Sequence, residues 1–218
     1  VIWYTHLGDR MIIMDAPGPL AAPGATRFTI PFQGGELEAF SATAPAAGAS
    51  NAPAFTLLFF VGNEDRVNPW VAGVARQWYA QTGVAVQAVG VNLPGFGEST
   101  PPAHLDRMGA CGLAAFDAVR ALHPGRPVVV QAASLGTTAA LCIAARRPVA
   151  ALAIQDPPPL AQLVLEYQGR WNLWLLAVPV WLELPGDIDA LAKARRIKAP
   201  CLFITSGADA VIPPRFQK

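Results

Sequence analysis

The sequence predicts an α/β domain built on a doubly wound, mostly parallel sheet. Three observations predict it. Short apolar runs of strand length alternate with amphipathic runs of helix length, the signature of βαβ units with right-handed crossovers. Some of the apolar runs are continuous rather than alternating, as a strand buried on both faces requires. Nearly every strand also ends in a loop of Gly, Pro or Asn carrying a polar side chain, and such sheets hold their ligands beyond the carboxyl ends of the strands.

The elements follow in order. Phe28-Thr-Ile-Pro-Phe32 and Glu36 to Ala42 flank Gly34 and Gly35, which reads as a hairpin with a two-glycine turn. Residues 43 to 53 carry no apolar period and read as a loop. Phe55 to Val61 is a run apolar but for Thr56 and the first buried parallel strand. Asn68-Pro69 supplies an N-cap and a first-turn proline for a helix over 70–81, with Gly83 as its stop. Val84 to Val91 is a strand, Asn92 to Pro102 a loop, and Leu105 to Leu122 a helix ending at His123-Pro-Gly. Pro127 to Ala132 is a strand and Leu135 to Arg146 a helix closed by Pro148. Ala150 to Ile154 is the sixth strand, followed by Asp156 and three prolines. About forty Trp- and Leu-rich residues of different character come next. Pro200 to Thr205 is a last strand, and Ser206 to Pro214 a loop.

Composition bounds the function. The 218 residues are 53% apolar and 14% charged, with a formal net charge of +1. That size suits a single domain, and the balance excludes intrinsic disorder. Near-neutrality leaves no broad field to draw nucleic acid or an anionic membrane. No apolar run approaches the roughly 18 residues a membrane span needs, the longest candidate being Leu173 to Leu182, interrupted by Pro179. Cys111, Cys142 and Cys201 lack metal-ligand spacing and are expected as buried thiols. The chain opens on Val1 rather than Met, so it is expected to be part of a longer product, and its compartment stays open between cytoplasm and an anchored or exported form.

Four strand-end loops can carry chemistry. In Gln131-Ala-Ala-Ser134-Leu-Gly136, Ser134 stands between a Val-rich strand and an Ala-rich helix. A sharp turn there lifts its hydroxyl above the sheet and aims the helix N-terminus at developing negative charge; a plain N-cap serine is the structural alternative. In Val61-Gly62-Asn63, a glycine after a buried strand lets the next N–H face a reacting oxygen, so the Asn63 and Leu135 amides can form an oxyanion hole; an ordinary turn is the alternative. Asn92-Leu-Pro-Gly95-Phe-Gly97-Glu-Ser99 looks like a phosphate loop only superficially. Pro94 removes a donor and the next helix starts too late, so it reads as a structural turn beside the nucleophile. In Ser206-Gly-Ala-Asp209, an Asp past a late strand can orient a histidine or cap an Asx-turn. Asp156 is a rival acid whose three following prolines favour a rigid turn.

Taken together and in this order, Gly62-Asn63, Asn92 to Ser99, Ala132-Ala-Ser134-Leu-Gly136 and Gly207-Ala-Asp209-Ala-Val-Ile-Pro213 resemble the α/β-hydrolase superfamily over residues 25 to 214. The likeness is greatest to serine hydrolases whose oxyanion loop reads His-Gly-Asn. The resemblance implies Ser134 as nucleophile, Asn63 and Leu135 as oxyanion donors and Asp209 as the acid. It also implies a small helical cap after the sixth strand, residues 160–190, where Trp171, Trp174 and Trp181 can line a substrate pocket. The sequence departs from the family pattern at Val61, Asn92, Ala132 and Thr137. The family's catalytic histidine follows one further strand, so it is expected beyond Lys218. His104 lies on the reactive side but far from Asp209, His123 at the opposite end of the sheet, and His6 ahead of it.

The expected function is hydrolysis of a carboxylic ester, thioester or amide through an acyl-serine, on a small acyl-bearing substrate and with no metal or organic cofactor. A non-catalytic binding or scaffold module and an acyltransferase are the alternatives.

Overall fold

A computed structural model describes residues 7–45, 52–169, 190–208 and 212–214. Its strands are β1 (Thr26–Phe32), β2 (Gly35–Ala44), β3 (Phe55–Phe60), β4 (Val86–Val91), β5 (Val128–Ala133), β6 (Ala151–Gln155) and β7 (Cys201–Ile204). Its helices are α1 (Leu7–Ile12), α2 (Val71–Thr82), α3 (Leu105–Leu122), α4 (Thr137–Arg146), α5 (Leu160–Gly169) and α6 (Ala190–Ala194). The seven strands form one sheet in the order β1-β2-β4-β3-β5-β6-β7. The pairs β1/β2 and β2/β4 are antiparallel and all the others parallel. The expected doubly wound, mostly parallel sheet is therefore present.

β3 shows why its apolar run is broken only by Thr56. Successive side chains point to opposite faces. Leu58 and Phe60 enter a core with Met108, Phe116, Val130 and Ile143 from α3, β5 and α4. Leu57 and Phe59 enter a second core with Val71, Ala75 and Val86 beneath α2. Both halves of the run are buried, at about 1.5–3 kcal/mol for each large side chain. The helices thus clamp the middle of the sheet, and the carboxyl ends of β3, β5 and β6 are left to carry loops.

Three local expectations are corrected by tertiary contacts. The hairpin turn is centred on Gln33 and Gly34, both at positive φ, while Gly35 already pairs with Phe32; two left-handed centres match the twist of the flanking strands. Asn68 does not cap α2. Its carboxamide donates to the Leu20 carbonyl and accepts from Asn92, and Trp70 takes the cap position without a side-chain bond. Cys111 and Cys142 are buried as expected, but Cys201 is exposed, because β7 pairs only with β6 among the described residues. Burial pushes the Cys111 thiol strongly up, which keeps it protonated and inert.

The loop after β4 is tied into the fold by buried hydrogen bonds. Asn92 is buried. It donates to Glu38 Oε2 at 2.7 Å and to Asn68 Oδ1 at 2.8 Å, and accepts the Val67 N–H at 2.9 Å. Ser99 Oγ donates to the Asn92 carbonyl and accepts the Glu38 N–H. The buried Glu38 carboxylate is completed by Arg27 and the Glu98 N–H, so a buried charge is fully partnered.

α5 opens the segment expected as a cap. Residues 170–189, with Trp171, Trp174 and Trp181, lie outside the described residues. No helix among the described residues is long and apolar enough to cross a membrane.

Candidate active site at the carboxyl edge of the sheet

β5 runs extended to Ala133 and then turns abruptly: Ser134 has φ +47°. Serine rarely adopts this left-handed region, at a cost of order 1–2 kcal/mol. The bend sends the chain into a single 3-10 turn, Ser134–Gly136, and directly into α4. The turn is held from within. Thr137 Oγ1 donates to the Ser134 carbonyl at 2.7 Å, and Thr138 Oγ1 to the Leu135 carbonyl at 2.7 Å. No side chain caps the 3-10 turn or α4, so the Ser134 hydroxyl is not spent on an N-cap. It is half-buried at the sheet rim, while Leu135 is buried beneath it.

Two glycines let the end of β3 approach this turn. A Cβ on Gly136 would stand 2.5 Å from the Val61 carbonyl oxygen and 2.9 Å from Phe60 Cβ, closer than real contacts allow. A Cβ on Gly62 would stand 3.0 Å from Ser134 Cβ and 3.5 Å from its Oγ. Small residues at 62 and 136 are therefore demanded by close packing. Asn63 follows Gly62 directly. Among the described residues, neither the Asn63 nor the Leu135 N–H is taken by a turn or loop carbonyl.

The Asn63 side chain points elsewhere. Its Nδ2 donates to the Ile12 carbonyl at 2.6 Å and its Oδ1 accepts the Met14 N–H at 3.1 Å. The chain ahead of the sheet thus crosses the carboxyl edge next to this loop. The sequence carries no sign of this, because residues 12–20 form no periodic element; only the Pro17-Gly18 turn stands out.

On the other flank, Ala133 pairs with Gln155 in adjacent strands. Ser134 and Asp156 therefore leave β5 and β6 side by side, and Asp156 also has φ +47°. Its carboxylate is buried and engaged with the loop after β7. Oδ1 accepts the Ser206 N–H at 2.7 Å and Oδ2 accepts the Ser206 hydroxyl at 2.5 Å. Asp156 thus anchors the start of the Ser206 loop. Asp209, three residues further on, lies outside the described residues.

The histidines divide as follows. His104 Nδ1 meets Asp9 Oδ2 at 2.7 Å, and the same carboxylate accepts the Leu105 N–H at 2.7 Å, so the pair secures the start of α3. His123 closes α3 at the far end of the sheet. Burial, then the Arg126 cation, lowers its pKa from the ordinary value. His6 lies outside the described residues. A cavity of about 420 Å³ opens between α2 and the ends of β5, β6 and β7, with Trp70, Trp78, Gln131, Gln155 and Leu202 in its wall. It borders Ala133, but Ser134 is not part of its lining.

Comparison with known proteins completes the picture. The family model described as alpha/beta hydrolase fold matches residues 85–187. No curated protein matches the chain in sequence. Among solved structures the chain is similar to Pyrococcus horikoshii acylaminoacyl peptidase, with a TM-score of 0.62 at 15% identity over 88% of this chain and 33% of that one. It is similar to a Pyrococcus furiosus esterase, with a TM-score of 0.64 at 14% identity over 92% of this chain and 80% of that one. A lidless α/β serine hydrolase from Xanthomonas campestris gives a TM-score of 0.55 at 18% identity over 91% and 78%. The chain spans about a third of the length of the acylaminoacyl peptidases it matches. At such identities the likeness is one of fold, and it agrees with the observed strand order. The chain has the α/β-hydrolase fold.

Proposed function

We propose that the protein is a serine hydrolase that cleaves a carboxylic ester, thioester or amide through an acyl-serine intermediate. The observation that carries this reading is Ser134 at φ +47°, with its hydroxyl at the sheet rim and not used as a helix cap. A fold that holds a serine in a strained conformation without a capping bond is maintaining its hydroxyl for another use.

In this mechanism Ser134 Oγ attacks the carbonyl carbon of the substrate and its proton passes to a histidine. The carbonyl oxygen becomes an oxyanion, stabilised by the Asn63 and Leu135 N–H groups and by the amino end of α4. The protonated histidine gives its proton to the leaving group, and water then hydrolyses the acyl-serine by the same route in reverse. The histidine comes from outside the described residues, since His104 is engaged with Asp9 and His123 lies at the opposite end of the sheet. Asp209 orients it. Asp156 is the poorer candidate for the acid, because both its oxygens already hold Ser206. The cap residues Trp171, Trp174 and Trp181 supply the apolar side of the substrate site. The elbow serves hydrolysis and acyl transfer alike, as water and an alcohol compete for the same acyl-enzyme.

The test is active-site labelling of the full-length protein with a fluorophosphonate. The wild type should be labelled and Ser134→Ala should not. Equal labelling of the two proteins would remove Ser134 from the mechanism.

A further inference from the structure

The segment ahead of the sheet is tied to the oxyanion loop more tightly than a connection requires. Asn63 grips it with both ends of its carboxamide, Nδ2 on the Ile12 carbonyl at 2.6 Å and Oδ1 on the Met14 N–H at 3.1 Å. The next residue adds a third bond, Glu64 N–H to the Met14 carbonyl at 2.9 Å. Glu64 is itself at φ +61°, a conformation that persists in a non-glycine residue only when its surroundings enforce it. The strap is fastened again just downstream. Gly97 N–H donates to the Ala16 carbonyl and Gly18 N–H to the Gly97 carbonyl, both at 2.8 Å, and Arg66 Nη1 reaches the Gly18 carbonyl at 3.0 Å. Ile13 is buried in the core between these points.

We infer that the strap over residues 12–18 sets the position of the Asn63 amide, and that the Asn63 side chain is a positioning residue for transition-state stabilisation. The inference rests on the acyl-serine reading above. A donor must meet the oxyanion at hydrogen-bond distance without reorganising during the reaction. The 62–64 turn has a flexible glycine at one end and a strained residue at the other, so the turn does not hold itself. The strap supplies the missing constraint by pairing with the turn as a neighbouring strand would. The Asn63 carboxamide never touches substrate on this account; it holds its own backbone N–H in place. A loosened loop should bind substrate as before but stabilise the oxyanion less well, and a donor misplaced by about 1 Å can cost on the order of a hundredfold in rate.

The test uses the full-length protein, an aryl ester substrate and three variants. Asn63→Ala keeps the backbone amide and removes both side-chain bonds. It should lower kcat by roughly 10- to 100-fold with KM within about twofold. Limited trypsin cleavage at Arg10, an exposed residue at the start of the strap, should speed up in the same variant. Met14→Pro removes the donor to Asn63 Oδ1 from the strap side and leaves the oxyanion loop intact; it should lower kcat in the same manner, by a smaller factor. Wild-type kcat in Asn63→Ala, or a loss of activity carried by KM alone in both variants, would overturn the inference. Ser134→Ala separates this from the parent reading. Continued labelling there refutes the acyl-serine mechanism and the inference with it. Lost labelling there with normal kcat in Asn63→Ala refutes only the role of the strap.

Discussion

Replacing Ser134 by glycine should remove the proposed nucleophile and stabilise the fold relative to replacement by alanine. The argument rests on φ +47° at this position. Alanine keeps the left-handed penalty, about 1–2 kcal/mol for a residue with a Cβ. Glycine removes it, but gives back about 0.4–1 kcal/mol through the greater entropy of its unfolded chain. Packing changes little, because the Ser134 Cβ faces Gly62, which offers no side chain. The net expectation is that Ser134→Gly exceeds Ser134→Ala by roughly 0.5–1 kcal/mol. For a domain of this size that is about 1–4 °C in Tm, taking roughly 2–4 °C per kcal/mol. Thermal unfolding of the two variants side by side, checked by urea midpoints at constant m, measures it. Neither should react with the fluorophosphonate. A glycine variant melting at or below the alanine variant would refute the view that the turn at 134 is held against its own preference.

Two further outcomes follow from the hydrogen-bond network and the surface charges. Asn92→Asp should destabilise the protein by about 3 kcal/mol, since a donor 2.7 Å from the buried Glu38 carboxylate becomes a second carboxylate; the urea midpoint reads this, and a wild-type midpoint would show that the contact does not organise the loop. Asp117 is bonded by Arg147 through both oxygens at 2.8 Å, and that hydrogen bonding holds its carboxyl below the ordinary value of 3.8. A depressed carboxylate contributes stability that is fully present above its unfolded value and disappears as pH falls through the folded one. Asp117→Asn should therefore cost under about 1 kcal/mol at pH 7, the pair being largely exposed, and the gap between wild type and variant should shrink as pH falls below the ordinary carboxyl value of 3.8 in denaturant titrations.

Much of this protein is legible in its sequence, because strand burial and tight turns leave local marks. The run Phe55 to Val61, apolar but for Thr56, announces a strand covered on both faces, since large apolar side chains stand on both sides of it. The small residues Ala132, Ala133 and Gly136 around Ser134 announce a sharp strand-to-helix turn, which leaves little room for side chains. These features depend on a residue and its immediate chain neighbours. Other assignments do not, and only the tertiary structure decided them. Asn68 has the right position for a helix cap, yet Asn92 and Leu20 claim its carboxamide. Asp156 reads in sequence as a rival acid with a rigid-turn alternative, and the fold brings the Ser206 N–H and hydroxyl onto its carboxylate. The strap over residues 12–18 leaves no periodic trace, because its partners are loop atoms about fifty and eighty positions away, as with Asn63 and Gly97. A polar side chain shows in sequence what it is able to bond, and the fold chooses among the partners brought within reach.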